Sequence, residues 1–400
     1  MPSQNLWQTI IVLFFLIAVQ ATSAISGFWL PAIAPNVAQD LGVDAALVGV
    51  AVMILYFAAM LSSLAVGGFV SRFGAWRTSQ IALAGFALAH IIQMQGSLWS
   101  IALGAIIQGI SYGFVTPPAS HLLQKVVTPK NRNLLFSIRF TGVPLGGVVT
   151  GLLAPPLTLE LGWQSAMLFV VFFSCFLIIV MQPLRKNWDH DRDHSAALLR
   201  DPRSDMVKLW QSKSLRYVAL FSLCMGAVQT TLTTFTTTAL VADAHLSLVV
   251  AGLGLAYLQF AGVFGRLLWG WMADKMGQGM VVAAFVAIIA AISNMSAMLL
   301  NEGLGTTIIF VGCFILGLTG LGWNGVYASE IARRAPKDQV SQITGASMFF
   351  TFSGVFWGPS IYLFAHALLG SYALAFLASV IMAGLAALCC YMAQRNVPNP

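Results

Sequence analysis

The sequence predicts an all-α polytopic membrane protein with twelve transmembrane helices in two pseudo-symmetric six-helix bundles. Three observations carry that prediction. The 400 residues are 58% hydrophobic and only 8% charged, whereas a soluble globule has about 25% charged residues. The apolar runs exceed ~18 residues and end at Gly, Pro or charge, the pattern of spanning helices and not the ten-residue alternation of a barrel. The basic residues, finally, fall almost entirely between alternate runs.

The first run, 8–32, has no basic leader and is long enough to span, so it is read as span 1 and not as a signal peptide. Span 2 (45–69) is followed by Arg72 and Arg77, and spans 3 (78–96) and 4 (98–122) by Lys125, Lys130 and Arg132. Spans 5 (134–158) and 6 (164–184) precede Arg185, Lys186, Arg192, Arg200, Arg203, Lys208, Lys213 and Arg216. Spans 7 (214–241) and 8 (248–270) lead to Lys275, and spans 9 (279–301) and 10 (305–329) to Arg333, Arg334 and Lys337. Spans 11 (341–367) and 12 (370–392) lead to Arg395. Eighteen of the 20 basic residues thus follow even-numbered spans, and the opposite loops hold only the acids Asp40, Asp44, Glu160, Asp243 and Glu302. By the positive-inside rule both termini are cytosolic, and the inner (cytoplasmic) membrane is the expected location. A net charge of +7 with pI near 9.3 therefore reflects topology, and no nucleic-acid partner is expected. Cys175, Cys224, Cys313, Cys389 and Cys390 all lie within spans without metal-ligand spacing and read as small packing residues.

The polar segment 185–213 divides residues 1–184 from 214–400 as a cytosolic linker between two bundles. Its Asp189-His-Asp-Arg-Asp-His194 run is expected to be solvated, with no metal site. The halves echo each other. Gly67-Gly-Phe-Val-Ser-Arg-Phe-Gly74 and Gly270-Trp-Met-Ala-Asp-Lys-Met-Gly277 share a Gly-x6-Gly frame with a basic residue, Arg72 or Lys275, two before the last glycine. The two frames stand 203 residues apart, and the turns at Pro129 and Pro336 stand 207 apart. Glycines there permit a tight turn and close helix contact, and Asp274 is placed to cap or pair at a neighbouring helix end. Gly67, Gly74, Arg72, Gly270, Asp274, Lys275 and Gly277 are accordingly expected to serve gating and not substrate contact.

Two cations remain inside the spans. Arg266 precedes the Asp274-Lys275 turn by eight residues, roughly 12 Å of helix, which is near the middle of a ~30 Å hydrocarbon layer. Arg139 lies seven residues past Arg132, roughly 10 Å into span 5. A buried arginine costs at least ~2.5–3.5 kcal/mol and so faces a cavity, partner or ligand. No Asp or Glu sits within a span away from its ends. A cationic substrate would find no counter-charge, and an anionic one is favoured. Around the arginines, Gln20, Tyr56, Gln108, Tyr112, Gln229, Gln259, Trp323 and Asn324 form the expected polar lining, Gln108 with Tyr112 and Gln259 with Arg266 by helical spacing. The threonine run 230–238 reads as helix–helix hydrogen bonding, and His90 and His121 as packing histidines. There is neither a phosphate-cradling Gly-x4-Gly-Lys-Ser/Thr loop nor a nucleophile–base constellation, which argues against a pump or an enzyme.

The two loop motifs resemble the Gly-x3-Asp-(Arg/Lys)-x-Gly signature of the major facilitator superfamily; the second copy is complete, and the first carries Ser71 in place of Asp. The resemblance covers nearly the whole chain and implies the major facilitator fold, whose parallel repeats hold substrate at the midplane. Arg266 to Gly277 is similar to helix 8 of the oxalate:formate antiporter and of the monocarboxylate transporters, which implies that Arg266 holds a substrate carboxylate. Span 11 lacks the second cation of the oxalate exchanger, since Gly345-Ala-Ser-Met-Phe-Phe-Thr351 is uncharged. Thr141-Gly-Val-Pro-Leu-Gly-Gly147, with Gly322-Trp-Asn-Gly325, resembles cyanate-permease-type members, and the former also approaches the Gly-Pro-x-x-Gly-Gly motif of proton-driven drug exporters. Its Gly142/Gly146 and Gly147/Gly151 spacings equally fit a close helix contact. The expectation is a monomeric secondary transporter of a small organic anion, a monocarboxylate, with the lipid bilayer as its other partner, proton coupling left open and no cofactor or metal. A drug or metabolite exporter of the same fold and a non-transporting receptor are the alternatives.

Overall fold

The computed structural model describes residues 6–43, 46–198 and 201–396; Asp44 and Arg200 lie outside them. Among these residues the chain is helical without strands. Twelve passes follow the expected order. They are α1 (Leu6–Ala32), α2 (Ala46–Ser62 and Val66–Phe73), α3 (Ala75–Gln93), α4 (Leu98–Gly113 and Thr116–Val126), α5 (Arg132–Phe140 and Gly142–Leu161) and α6 (Trp163–Ala166 and Leu168–Met181). The second set is α7 (Lys213–Ala242), α8 (Leu248–Met276), α9 (Gly279–Ala297), α10 (Thr306–Gly320 and Asn324–Arg334), α11 (Val340–Leu369) and α12 (Tyr372–Ala375 and Leu377–Arg395).

Among the described residues ten of these passes are long and apolar enough to cross a membrane, and α2, whose two segments are bent by 59°, makes an eleventh. The twelfth, α3, has 19 residues but carries Arg77, Gln80, His90 and Gln93 and is less apolar. Serines start several helices: Ser97 and Ser100 form a capping box on α4, and Ser212, Ser247 and Ser371 cap α7, α8 and α12.

The residues pack as two compact units. One comprises Met1–Val127, Arg139–Met206 and Ala335–Phe349, the other Thr128–Ile138, Val207–Arg334 and Phe350–Pro400. In the first unit α1 packs on the later part of α5, α2 on α4, and α3 on α6. The second unit repeats this scheme: α7 lies against α11, α8 against α10, and α9 against α12. In the first unit Gly142 and Gly146 sit so close to α1 that an added Cβ would come within 2.6 Å of the Ile17 carbonyl and 2.7 Å of the Ala24 methyl, as expected of a small-residue seam. The second spacing does not form one, because Gly151 meets open space.

Loop acids tie helix ends together at repeat-related positions. Asp40 accepts from Trp163 Nε1 at 2.8 Å and Gln164 Nε2 at 3.2 Å at the start of α6. Asp243 accepts from Ser371 Oγ at 3.3 Å and Ala373 N at 2.5 Å at the start of α12.

The linker departs from expectation. Asp189 is only 3% exposed and accepts from Trp76 N at 2.8 Å and Arg77 N at 3.0 Å, capping α3. Asp191 bridges His121 at 2.7 Å and Lys125 at 2.8 Å on α4, so His121 is hydrogen-bonded to a carboxylate and is not a packing histidine. Trp188 stacks on Trp76, and Asp193 N donates to Ser71 O at 2.8 Å. Residues 188–196 are therefore a strap anchored on the first unit through Trp188 and Asp189, while His190, Asp191, Asp193 and His194 stay exposed as expected of a solvated charge run. Burial pushes the Asp189 carboxyl up, against the two backbone donors and Arg185. Burial acts the same way on Asp191 but is outweighed by hydrogen bonds and charge from His121 and Lys125, which hold it well below the usual carboxylate range.

Candidate functional site

In the first unit the site grows from a broken helix. Pro117 and Pro118 cannot donate to the preceding turn of α4, and the helix stops at Gly113 and restarts at Thr116. A break at membrane depth leaves carbonyls to be satisfied, which is tolerated where a cavity or a donor is at hand. Arg139 is that donor. It is fully buried, and its Nη2 donates to Gln20 Oε1 at 2.6 Å, Thr116 Oγ1 at 3.3 Å and the Val115 carbonyl at 3.5 Å, with Phe140 4.5 Å below the guanidinium. Its Nε and Nη1 are buried without a partner. Gln20 and Arg139 are thus brought together, and Thr116, which the sequence did not single out, joins them. Tyr56 and Tyr112 pair edge to face at 5.8 Å, their hydroxyls hydrogen-bonded, and Tyr112 feels the charge of Arg139. Gln108 is drawn elsewhere: it donates to the Ser26 carbonyl at 2.5 Å and Oγ at 2.9 Å and accepts from Gln93 at 3.3 Å. Its polar atoms are occupied in helix packing.

In the second unit α10 breaks at 321–323, where Gly320 and Gly322 flank Leu321. This break stands at the repeat position of the one in α4, and it presents Trp323 and Asn324. Asn324 Nδ2 donates to Gln229 Oε1 at 3.0 Å and to the Leu321 carbonyl at 3.2 Å. Trp323 is 1% exposed, lies between Phe221 and Tyr327, and leaves its Nε1 without a partner. Arg266 is 2% exposed, and its Nε and Nη1 are buried without a hydrogen-bond partner among the described residues. A Cβ built on Gly262 would lie 3.4 Å from Arg266 Nη1 and 2.8 Å from Leu321, so the guanidinium turns back along α8 beside the break of α10. Gln259 is half-buried. The threonines Thr230 and Thr233 bond back to their own helix at Gly226 and Gln229.

Each unit therefore contains one fully buried arginine beside a broken helix. Among the described residues neither has a carboxylate partner. Glu330, near the end of α10, is 2% exposed and is already paired with Arg333 at 2.8 Å and with Arg334.

The loop motifs differ in what they hold. In the second unit Asp274 accepts from Asn133 N at 2.9 Å, Asn133 Nδ2 at 2.8 Å and Leu134 N at 2.8 Å. A carboxylate thus sits on the first turn of α5, where free N–H groups and the helix dipole favour negative charge. Gly277, at φ 66, closes α8 in the left-handed conformation that glycine adopts without strain, Gly270 faces Ser137, and Lys275 lies over Trp271 at 4.9 Å. In the first unit the Ser71 hydroxyl accepts a neutral hydrogen bond from Gln342 Nε2 at 3.1 Å, Arg72 reaches the Ala196 carbonyl at 3.4 Å, and Gly67 and Gly74 abut Gln342 and Asp189.

Comparison with known proteins agrees with this architecture. The chain is 25% identical over 363 residues to the 4-hydroxybenzoate transporter PcaK of Acinetobacter baylyi, covering 82% of this chain and 77% of that one. It is 27% identical over 164 residues to the gallate transporter of Pseudomonas putida, a match that takes in 40% of this chain and spans only 36% of that relative's length. Among solved structures, the E. coli fucose:proton symporter FucP superposes with a TM-score of 0.77 at 12% identity, over 98% of this chain and 100% of that one. The human organic anion transporter MFSD10 gives 0.79 at 14% identity, over 96% and 99%. At such identities these structures speak to the fold alone. The Major Facilitator Superfamily model matches residues 13–359, and with twelve helical passes in the fold of that group the chain belongs to the Major Facilitator Superfamily.

Proposed function

We propose that this superfamily transporter carries a small organic anion, a monocarboxylate, across the inner membrane by alternating access. The observation that carries the reading is Arg266, buried at membrane depth with its Nε and Nη1 unpartnered among the described residues. A charge in that position is costly unless a ligand compensates it, and a carboxylate matches the planar donor fork in a way no neutral solute does. Arg139 supports the same reading in the other unit, with Gln20 and Thr116 orienting it and two nitrogens left for an acceptor. The relatives are in keeping, since gallate and 4-hydroxybenzoate transporters by name carry aromatic acids. Tyr56 and Tyr112 near Arg139 offer an aromatic surface for such a ring.

Within this reading the two halves are residues 1–184 and 214–400, joined by the linker 185–213, the protein acts as a monomer, and both termini lie in the cytosol. Asp274 acts in gating, holding the first turn of α5 in one state and releasing it in the other. The test is a stability screen of purified protein against small carboxylates, organic cations and hydrophobic drugs, because a ligand that binds only the native state raises its melting temperature. Stabilisation by monocarboxylates, followed by their uptake into proteoliposomes, is the expected result. Stabilisation by cations or drugs alone overturns the proposal in favour of an exporter.

A further inference from the structure

A cavity of about 510 Å³ opens in the first unit where α1 begins, where α4 and α6 end, and where the linker leaves α6. Its polar rim is Gln8, Lys125, Asn187 and His190, and its apolar wall is Ile11, Leu184 and Trp188. None of the described residues that line it is a carboxylate. Lys125 spends two donors on the Trp188 carbonyl and Asp191, each at 2.8 Å, and its ammonium retains a third. Lys186, next to Asn187, is exposed and adds a further positive charge. The cavity lies at the level where spans end on the side of the basic loops, and Trp7, 69% exposed on α1, stands beside Gln8 as an interfacial anchor would.

A wall of apolar side chains continuous with membrane-spanning helices, under a basic and amide-bearing rim, matches one kind of molecule. We propose that this cavity binds the headgroup of an anionic phospholipid from the leaflet on the side of the basic loops. The phosphodiester accepts from Lys125, with Gln8, Asn187 and His190 as further donors, and the first acyl carbons lie along Ile11 and Leu184. Free phosphate satisfies the rim but gains nothing from the apolar wall. The proposal is independent of the transported substrate.

The test uses the full-length protein, delipidated in an uncharged detergent, with native mass spectrometry and thermal melting. Dioleoylphosphatidylglycerol is compared with dioleoylphosphatidylcholine, glycerol 3-phosphate and inorganic phosphate. The expected result is retention of phosphatidylglycerol and a raised melting temperature with that lipid alone, both weakened by salt. Gln8 and His190 are exposed, so the Gln8→Glu/His190→Glu variant keeps its lipid-free melting temperature while retaining phosphatidylglycerol about tenfold less. Equal stabilisation by the two lipids, an undiminished effect in that variant, or an equal effect of soluble phosphates overturns the assignment.

Discussion

Replacing Arg266 separates its two consequences, because the same guanidinium that would bind a carboxylate also burdens the empty protein. Two charge-assisted hydrogen bonds are each worth about 1.5–3 kcal/mol, so Arg266→Ala removes roughly 3–6 kcal/mol of binding, a loss of about a hundredfold to ten-thousandfold. Arg266→Lys keeps the charge but not the planar fork, and a loss of about tenfold to a hundredfold is expected. Stability moves the other way. The side chain is 2% exposed with its Nε and Nη1 unpartnered among the described residues, and a cation at that depth costs at least ~2.5–3.5 kcal/mol. Arg266→Met, which keeps much of the volume, should therefore raise the ligand-free melting temperature. The assays are carboxylate uptake into proteoliposomes, ligand-induced stabilisation, and melting without ligand. Normal uptake by Arg266→Ala, or a lower ligand-free stability for Arg266→Met, would refute the reasoning: the first severs the arginine from the substrate, the second shows that its charge is compensated.

Asp274→Asn keeps an acceptor but loses the charge on the first turn of α5, so turnover should change severalfold with little effect on substrate affinity; a binding defect at unchanged turnover contradicts a gating role. Reporter fusions at Asp243 and Glu302 should report the periplasmic side, and a cytosolic signal at either one breaks the twelve-span topology. Asp191, held low by His121 and Lys125, should stabilise the strap above the unfolded carboxylate value of about 3.9 and lose that contribution as pH falls below it. Hydrogen exchange in 188–196 should therefore rise on acidification below about pH 4 and, at neutral pH, in Asp191→Asn; unchanged protection in the variant means that Asp189 and Trp188 hold the strap alone.

What was legible in the sequence is what leaves a pattern along the chain. Charge alternation gave the order of the helices, and the Gly-x6-Gly frame singled out Asp274, which does sit on a helix end. Arg139 and Arg266 stood out because a cation in an apolar run is conspicuous whatever surrounds it. Interactions with backbone partners were opaque. Asp189 caps α3 through the N–H groups of Trp76 and Arg77, and an N–H group belongs to every residue but proline, so nothing in positions 76 and 77 announced a distant acid. Gln108 was misjudged for the related reason that helical spacing shows which residues share a face but not whether a neighbour, here Ser26, has already taken their hydrogen bonds.

Some of the hidden features were nevertheless within reach of the repeat. Asp40 and Asp243 stand 203 residues apart, the same separation as the two loop motifs, and each ties the segment that follows the first helix of its half to the start of the sixth. The break in α4 is announced by Pro117-Pro118, while its counterpart in α10 has no proline and depends on glycines, Gly320 and Gly322. Two different local causes thus produce an interruption at the same repeat position. Because each break stands beside a buried arginine or an unpaired indole, the shared feature is the interruption itself: it exposes main-chain groups at membrane depth, where only a donor, an acceptor or a ligand can satisfy them.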